Sequence, residues 1–218
     1  MAVLRLAVLA SGKGSNLRAI IDGCCNMGIN ASIMAVFSDR EAAGALKIAA
    51  DFGIEACYVD PKGFSCKQHF EDTLLRKISL HQVDYIILAG YMRILSPYFI
   101  KNAGCPVLNI HPSLLPSFPG LNAQEQAIRY GVRFSGCTVH FVDEGIDSGP
   151  IIMQAVVPVL QEDTEEELTK RILNEEHRIY PYVIKLLAEK RILCQGRKVI
   201  IREESDNNEK TSFDQCVR

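Results

Sequence analysis

No stretch of the chain approaches the roughly 18 consecutive apolar residues that a membrane span requires. None of the eight cysteines forms a Cys-x-x-Cys pair, and no histidine stands at zinc-finger spacing from one. Those absences remove a membrane protein and a zinc-ribbon reading, and they point to free thiols in a reducing compartment. Charge of neither sign is in excess. The 24 Lys+Arg against 26 Asp+Glu leave a formal net charge of −2, which argues against a nucleic-acid surface. A targeting segment is not expected either. Met1–Ala10 is apolar but short, carries Arg5, and runs into a glycine-rich turn, as a first strand does. Internal repeats and interdomain linkers are missing. The expectation is one domain over residues 1–202 and a polar, frayed tail over 203–218, in a cytoplasmic protein with no membrane partner.

What the 218 residues do have is a 48% hydrophobic content, arranged as strand and helix in turn. Leu4–Ala10 reads as a buried strand, Ala31–Phe37, Glu55–Val59 and Val83–Ala89 as further strands, and a fifth ends at Asn109. Leu17–Cys25, Ala42–Phe52, Ser65–Ser79 and Pro97–Asn102 read as the helices between them. This alternation predicts an α/β fold: a Rossmann-like, mostly parallel sheet with helices on both faces. Past Pro116 come a short helix, Ala123–Tyr130, and a hairpin pair, Cys137–Val142 and Ile151–Val159, that makes the sheet mixed. A long helix, Thr164–Ala188, carries Pro181, which should kink it, and a terminal hairpin spans Ile192–Ile201.

Ligands of such sheets lie beyond the carboxyl ends of the strands. The chemistry-bearing residues of this chain cluster there. Val107–Pro116 delivers Asn109 and His111 two positions apart, on one face of a strand. An amide that can hold an oxyanion beside an imidazole that can move a proton suits chemistry on a carbonyl carbon. Asn-x-His alone fits a strand closing into a turn equally well.

The turn Gly12–Asn16 joins a strand to a helix and can present amides to an anion. Its spacing excludes the Walker pattern, which needs four residues between Gly and Gly-Lys-Ser/Thr, and the dinucleotide fingerprint, which needs a third Gly where this chain has Leu17. Ser15 and Asn16 suit a phosphate monoester; a plain glycine turn with a Ser/Asn cap is the structural alternative. Asp147, in the glycine-bearing loop Asp143–Pro150, would orient His111 and favour its protonated form. The three acids there lack a calcium-loop pattern, so no metal is expected. Glu176 falls on the apolar stripe of the long helix, which calls for a partner, a substrate amine or a structural arginine. His140 reads as a hydrogen-bonded core residue.

Five segments then occur in a telling order: SGKGSNL, LAGYMRILSP, LNIHPSLLPSFPG, TVHFVDEGIDSGPII and EEHRIYP. Together, over about residues 3–190, the chain resembles the phosphoribosylglycinamide formyltransferases, folate-dependent enzymes of purine synthesis. HPSLLP alone marks the wider formyltransferase superfamily; the GSN turn and EEHRIYP narrow it.

The resemblance implies transfer of a formyl group from 10-formyltetrahydrofolate, a co-substrate, to the amine of glycinamide ribonucleotide, without a metal. It implies catalytic roles for Asn109, His111 and Asp147, and a phosphate site at Gly14, Ser15 and Asn16. Glu176 would lie at the amine and ribose side of the substrate. Lys67, Met92, Arg93, Ile94, Leu95, Asn109, Asp143, Glu144, Gly145, Ile146 and Asp147 would contact folate. Two positions depart from the family: Lys67 stands for an arginine near the folate tail, and Gln124 stands where many members have histidine.

The implied partners are the two small molecules, with no nucleic acid, and the chain is expected to be a monomer or weak dimer. A formyltetrahydrofolate hydrolase is the nearest rival. Methionyl-tRNA formylation would need a basic domain after residue 190. A non-catalytic nucleotide-binding module, with Asp39 on a ribose, is the rival from another class.

Overall fold

The structure is a computed structural model that describes residues 2–203, so the expected tail, apart from Glu203, lies outside the described residues. The chain divides into two compact units, the first ending at Asn109 and the second beginning at Ile110.

The first unit is a parallel sheet. Strand β1 (Leu4–Leu9) pairs with β2 (Ala31–Ser38) on one side and β4 (Tyr85–Leu88) on the other. β2 pairs with β3 (Glu55–Tyr58), and β4 with the start of β5 (Val107–His111). The order is therefore β3-β2-β1-β4-β5. Leu6, Ala7, Val8 and Leu9 are fully buried, as a strand covered on both faces requires.

Helices α1 (Ser15–Asn26), α2 (Gly44–Asp51), α3 (Lys67–Ser79) and α4 (Pro97–Asn102) connect the strands. Leaving β1, the chain first steps outward to β2 and β3. It then crosses back to β4 and β5. Right-handed crossovers in opposite directions put α1 and α2 on one face and α3 and α4 on the other. Accordingly α1 packs on α2, and α3 on α4.

The second unit holds α5 (Ala123–Tyr130), an antiparallel pair β6 (Phe134–Phe141) and β7 (Ile151–Pro158), and α6 (Glu165–Ala188). A hairpin of β8 (Ile192–Gln195) and β9 (Lys198–Ile201) follows. α6 packs on both β6 and β7. It opens on a capping box, with the Thr164 hydroxyl accepting from the Glu167 N–H and the Glu167 carboxylate accepting from the Thr164 N–H. It continues through Pro181 to Ala188 as one helix.

Several boundaries differ from the sequence reading, and three of them have a local cause. α1 begins two residues early, at Ser15, because Gly14 takes the N-cap position in the left-handed region at φ 81. α2 begins late, at Gly44, because Ala43 is extended. β6 begins three residues early, through Gly136. A Cβ there would sit 1.9 Å from the Ala155 carbonyl oxygen, so this glycine permits close strand approach and does not break the strand.

The seven described cysteines are free, as expected. Burial pushes the Cys24 and Cys105 thiols up to about 11 and the Cys137 thiol up to about 12, which keeps them protonated and inert at neutral pH. Among the described residues no helix is long and apolar enough to cross a membrane, and no His/Cys/Asp/Glu group has metal-binding geometry.

Candidate active site

In the first unit, strand order reverses between β1 and β4, so the loops after those strands part around a crevice. Ser11 ties the two loops together. Its N–H donates to the Gly90 carbonyl at 3.0 Å, and its hydroxyl accepts from the Met92 N–H at 2.9 Å. The same hydroxyl donates to Asp39 Oδ1 at 2.5 Å. Asp39 thus has a partner inside the protein, which weakens the idea that it waits for a ribose.

The glycine turn is knitted to the start of α2. The Ala45 N–H donates to the Gly12 carbonyl at 3.2 Å. A Cβ on Gly14 would lie 2.7 Å from Ala45 Cα, and one on Gly44 would lie 2.7 Å from the Lys13 oxygen. Only glycine allows these backbones to touch. Ser15 and Asn16 are consequently the first residues of α1 and not its caps, and Asn16 is buried. The first N–H groups of a helix lack intrahelical acceptors, so the turn ends in an anion-ready helix terminus.

After Gly90 the segment Met92–Leu95 runs to Ser96, the N-cap of α4. Met92 and Ile94 expose 56% and 65% of their surface, an apolar pair left open beside the crevice. Arg93 stacks over the Phe70 ring at 5.3 Å. Lys67, the first residue of α3, holds its ammonium 3.7 Å from Glu71.

In the second unit, β5 carries His111, which is buried, two positions beyond the half-buried Asn109. Asp147 Oδ2 lies 3.3 Å from His111 Nδ1 and accepts from the Gly120 N–H at 2.8 Å. His111 Nε2 lies 2.8 Å from the Phe118 carbonyl oxygen. Both ring nitrogens therefore face atoms that only accept. The imidazolium satisfies both contacts, whereas a neutral ring would aim a lone pair at one of them.

Asp147 has a second imidazole beside it: His140 Nε2 is 3.7 Å from Oδ1. Burial lowers the His140 pKa, so its neutral form donates from Nδ1 to the Phe141 carbonyl at 2.8 Å. The core reading of His140 holds, but sequence spacing gave no sign that it borders Asp147.

The loop around Asp147 is shaped by its own contacts. Asp143 Oδ1 accepts from the Gly145 N–H and the Ser148 hydroxyl, at 3.1 and 2.6 Å. A Cβ on Gly149 would fall 1.8 Å from the Phe141 oxygen, and one on Gly145 would fall 2.1 Å from the Ser148 hydroxyl. These glycines serve the packing of the loop itself, before any ligand is considered. Asp147 sits at φ 49, a left-handed conformation that Asp tolerates better than most residues. Ile146 exposes 57% of its surface.

Glu176 is buried on the α6 stripe with Leu168, Ile172, Ile179, Val183 and Leu187, as its spacing indicates. Burial, reinforced by this carboxylate, raises the Cys137 thiol and the Tyr180 phenol above their ordinary values. Gln124 lies in the first turn of α5.

Sequence reasoning missed Ser11 and Glu71. Glu71 could have been found, since it lies on the apolar stripe of α3 with Phe70, Leu74 and Ile78, the same signal that marked Glu176.

The paired imidazole and carboxylate of His111 and Asp147 can move a proton and hold developing charge, which chemistry on a carbonyl carbon uses. Residues 4–184 match the family described as Formyl transferase, and the chain belongs to that family. Its relatives include the phosphoribosylglycinamide formyltransferase of Escherichia coli, 42% identical over 87% of this chain and 89% of that protein. The trifunctional purine biosynthetic protein adenosine-3 of Drosophila pseudoobscura is 47% identical over 84% of the chain, which spans only 14% of that larger protein. In structure, the glycinamide ribonucleotide transformylase 1 of Symbiobacterium toebii superposes with a TM-score of 0.89 at 48% identity, over 92% of this chain and 95% of that one. The family's chemistry implies a folate-type formyl donor and small-molecule substrates.

Proposed function

We propose that this chain transfers the formyl group of 10-formyltetrahydrofolate to the amine of glycinamide ribonucleotide, forming formyl-glycinamide ribonucleotide in purine synthesis. The observation that carries the chemistry is the buried His111, with an acceptor at each ring nitrogen and Asp147 as its countercharge.

The amine lone pair attacks the formyl carbon, and the carbonyl electrons move onto oxygen. Asn109 donates to that oxyanion. The Nε2–H of charged His111 turns from the Phe118 carbonyl to the same oxygen. A charged donor in a water-poor site stabilises such an oxygen more than a neutral one does. When the tetrahedral intermediate collapses, the carbon–N10 bond breaks. The proton lost by the amine passes to N10 through His111 and water. Asp147 keeps the ring oriented throughout.

Gly14, Ser15 and Asn16 are assigned to the ribonucleotide phosphate, and Glu176 to its amine and ribose end. Assigned to the folate donor are Lys67, Met92, Arg93, Ile94 and Leu95 of the first unit and Asp143–Asp147 of the second.

The test is an absorbance assay of folate deformylation with and without glycinamide ribonucleotide. Deformylation that depends on the ribonucleotide is expected. Formate release without it would replace transfer by hydrolysis.

A further inference from the structure

Glu71 is a carboxylate with 1% exposure on a helix that faces a parallel sheet. Burying that charge is costly unless hydrogen bonds hold it. It is held mainly by Ser96. Oε1 accepts from the Ser96 N–H at 2.9 Å, and Oε2 accepts from the Ser96 hydroxyl in a short bond. The cap of α4 does not need this help, because the Ser96 hydroxyl already accepts from the Phe99 N–H at 3.2 Å. What Glu71 adds is an anchor for the chain that enters Ser96, and that chain is Met92–Leu95.

The opposite end of the segment is also fixed. The Met92 N–H is bonded to Ser11, and Arg93 lies on Phe70, the residue next to Glu71. A four-residue stretch with two exposed apolar side chains is therefore clamped at both ends, at the switch point where such sheets take their ligands. One turn earlier on α3, Glu71 also faces the Lys67 ammonium, whose side chain is 47% exposed. One carboxylate thus sets both an apolar wall and a cation beside it.

We infer that Glu71 is a positioning residue for the folate donor: it holds Met92–Leu95 against the flat ring and Lys67 toward the carboxylate tail. This rests on the function proposed above. The charge is needed because both oxygens accept. In Glu71→Gln one oxygen becomes an NH2 that meets either the Ser96 N–H or a hydroxyl left without its acceptor.

The experiment compares wild type and Glu71→Gln in steady-state formyl transfer, with folic acid binding measured by fluorescence in parallel. Glu71→Gln is expected to raise KM for 10-formyltetrahydrofolate about tenfold, with kcat within about twofold and KM for the ribonucleotide unchanged. Folic acid affinity should fall to a similar degree. Unchanged folate KM, or an equal rise for both substrates, would reduce Glu71 to a structural strut and overturn the inference. If Glu71→Gln does not fold, Ser96→Ala keeps the buried carboxylate and its N–H bond. It must then show the same selective rise, and its absence overturns the inference as well. Wild type inactive in transfer would instead defeat the function itself, a result distinct from either outcome.

Discussion

The glycine turn after β1 and the loop between β6 and β7 are both short connections rich in glycine, and they hold their shapes by opposite means. The turn is fixed backbone against backbone: Gly14 on Ala45, Gly44 on Lys13, and the Gly12 carbonyl on the Ala45 N–H. The loop is fixed through carboxylates: Asp143 gathers Gly145 and Ser148, and Asp147 gathers Gly120 and His111. A cradle built from peptide groups holds one shape at any ordinary pH. A site built on a carboxylate and an imidazole has a charge state, and its chemistry depends on it. The contrast suits the roles proposed for them, binding for the turn and reaction for the loop.

Breaking the reactive side should have the largest effect. Asp147→Asn keeps the shape of the side chain and removes its charge. Turnover in the formyl-transfer assay is expected to fall on the order of 10²-fold or more, with both ligands still bound in titrations. A fall below about threefold would show that the loop works by shape, as the turn does.

The turn offers a sharper pair. Gly14→Ala forces a Cβ into Ala45 at φ 81 and should cost about 2 kcal/mol in denaturant unfolding. Gly14 is therefore a poor probe of phosphate approach, since damage to the turn and loss of ligand would be confounded. Gly12→Ala meets nothing within 4 Å. It should leave stability within about 0.5 kcal/mol, so any loss of ribonucleotide affinity reports on the turn as a binding surface.

Glu176 lies outside both regions and tests whether a buried carboxylate can bind without shaping a loop. Glu176→Gln should raise the ribonucleotide KM about tenfold with little change in Tm. A drop in Tm of several degrees with unchanged KM would assign it to the packing of α6.

The smallest effect concerns stability against pH. Hydrogen bonds from Arg171, at 2.7 and 2.8 Å, hold the Asp163 carboxyl below its ordinary value. With the folded pKa depressed, the unfolded chain takes up the proton first. The stabilisation is then in place above about pH 4 and is lost as pH falls through the folded value. Arg171→Met should flatten that acid limb in urea melts below about pH 4, without altering transfer at neutral pH.

The sheet was legible because its central strands carry apolar runs that end near glycine or proline: Leu6–Ala10 before Gly12, Tyr85–Ala89 before Gly90, and β5 between Pro106 and Pro112. Its errors fell where glycine acts through distant backbone. Gly136 looks like a breaker until Ala155 is seen beside it, and Gly14 looks like part of a loop until it caps α1. The candidate residues were legible because strand periodicity places Asn109 and His111 on one face, and Asp147 stands in a loop of acids and glycines. Ser11 and Glu71 were not, because what they do depends on partners 81 and 25 residues away. His140 was legible as a core residue, but its position 3.7 Å from Asp147 depends on how the loop folds back.

The central claim is that Asp147 holds the His111 ring through Nδ1, 3.3 Å from its Oδ2, and the most direct measurement is nitrogen-15 NMR of the imidazole in wild type and Asp147→Asn. The account predicts a hydrogen-bonded Nδ1–H in wild type whose bond is weakened in the variant. Identical imidazole signals in the two proteins would contradict it and leave Asp147 only the task of shaping the loop.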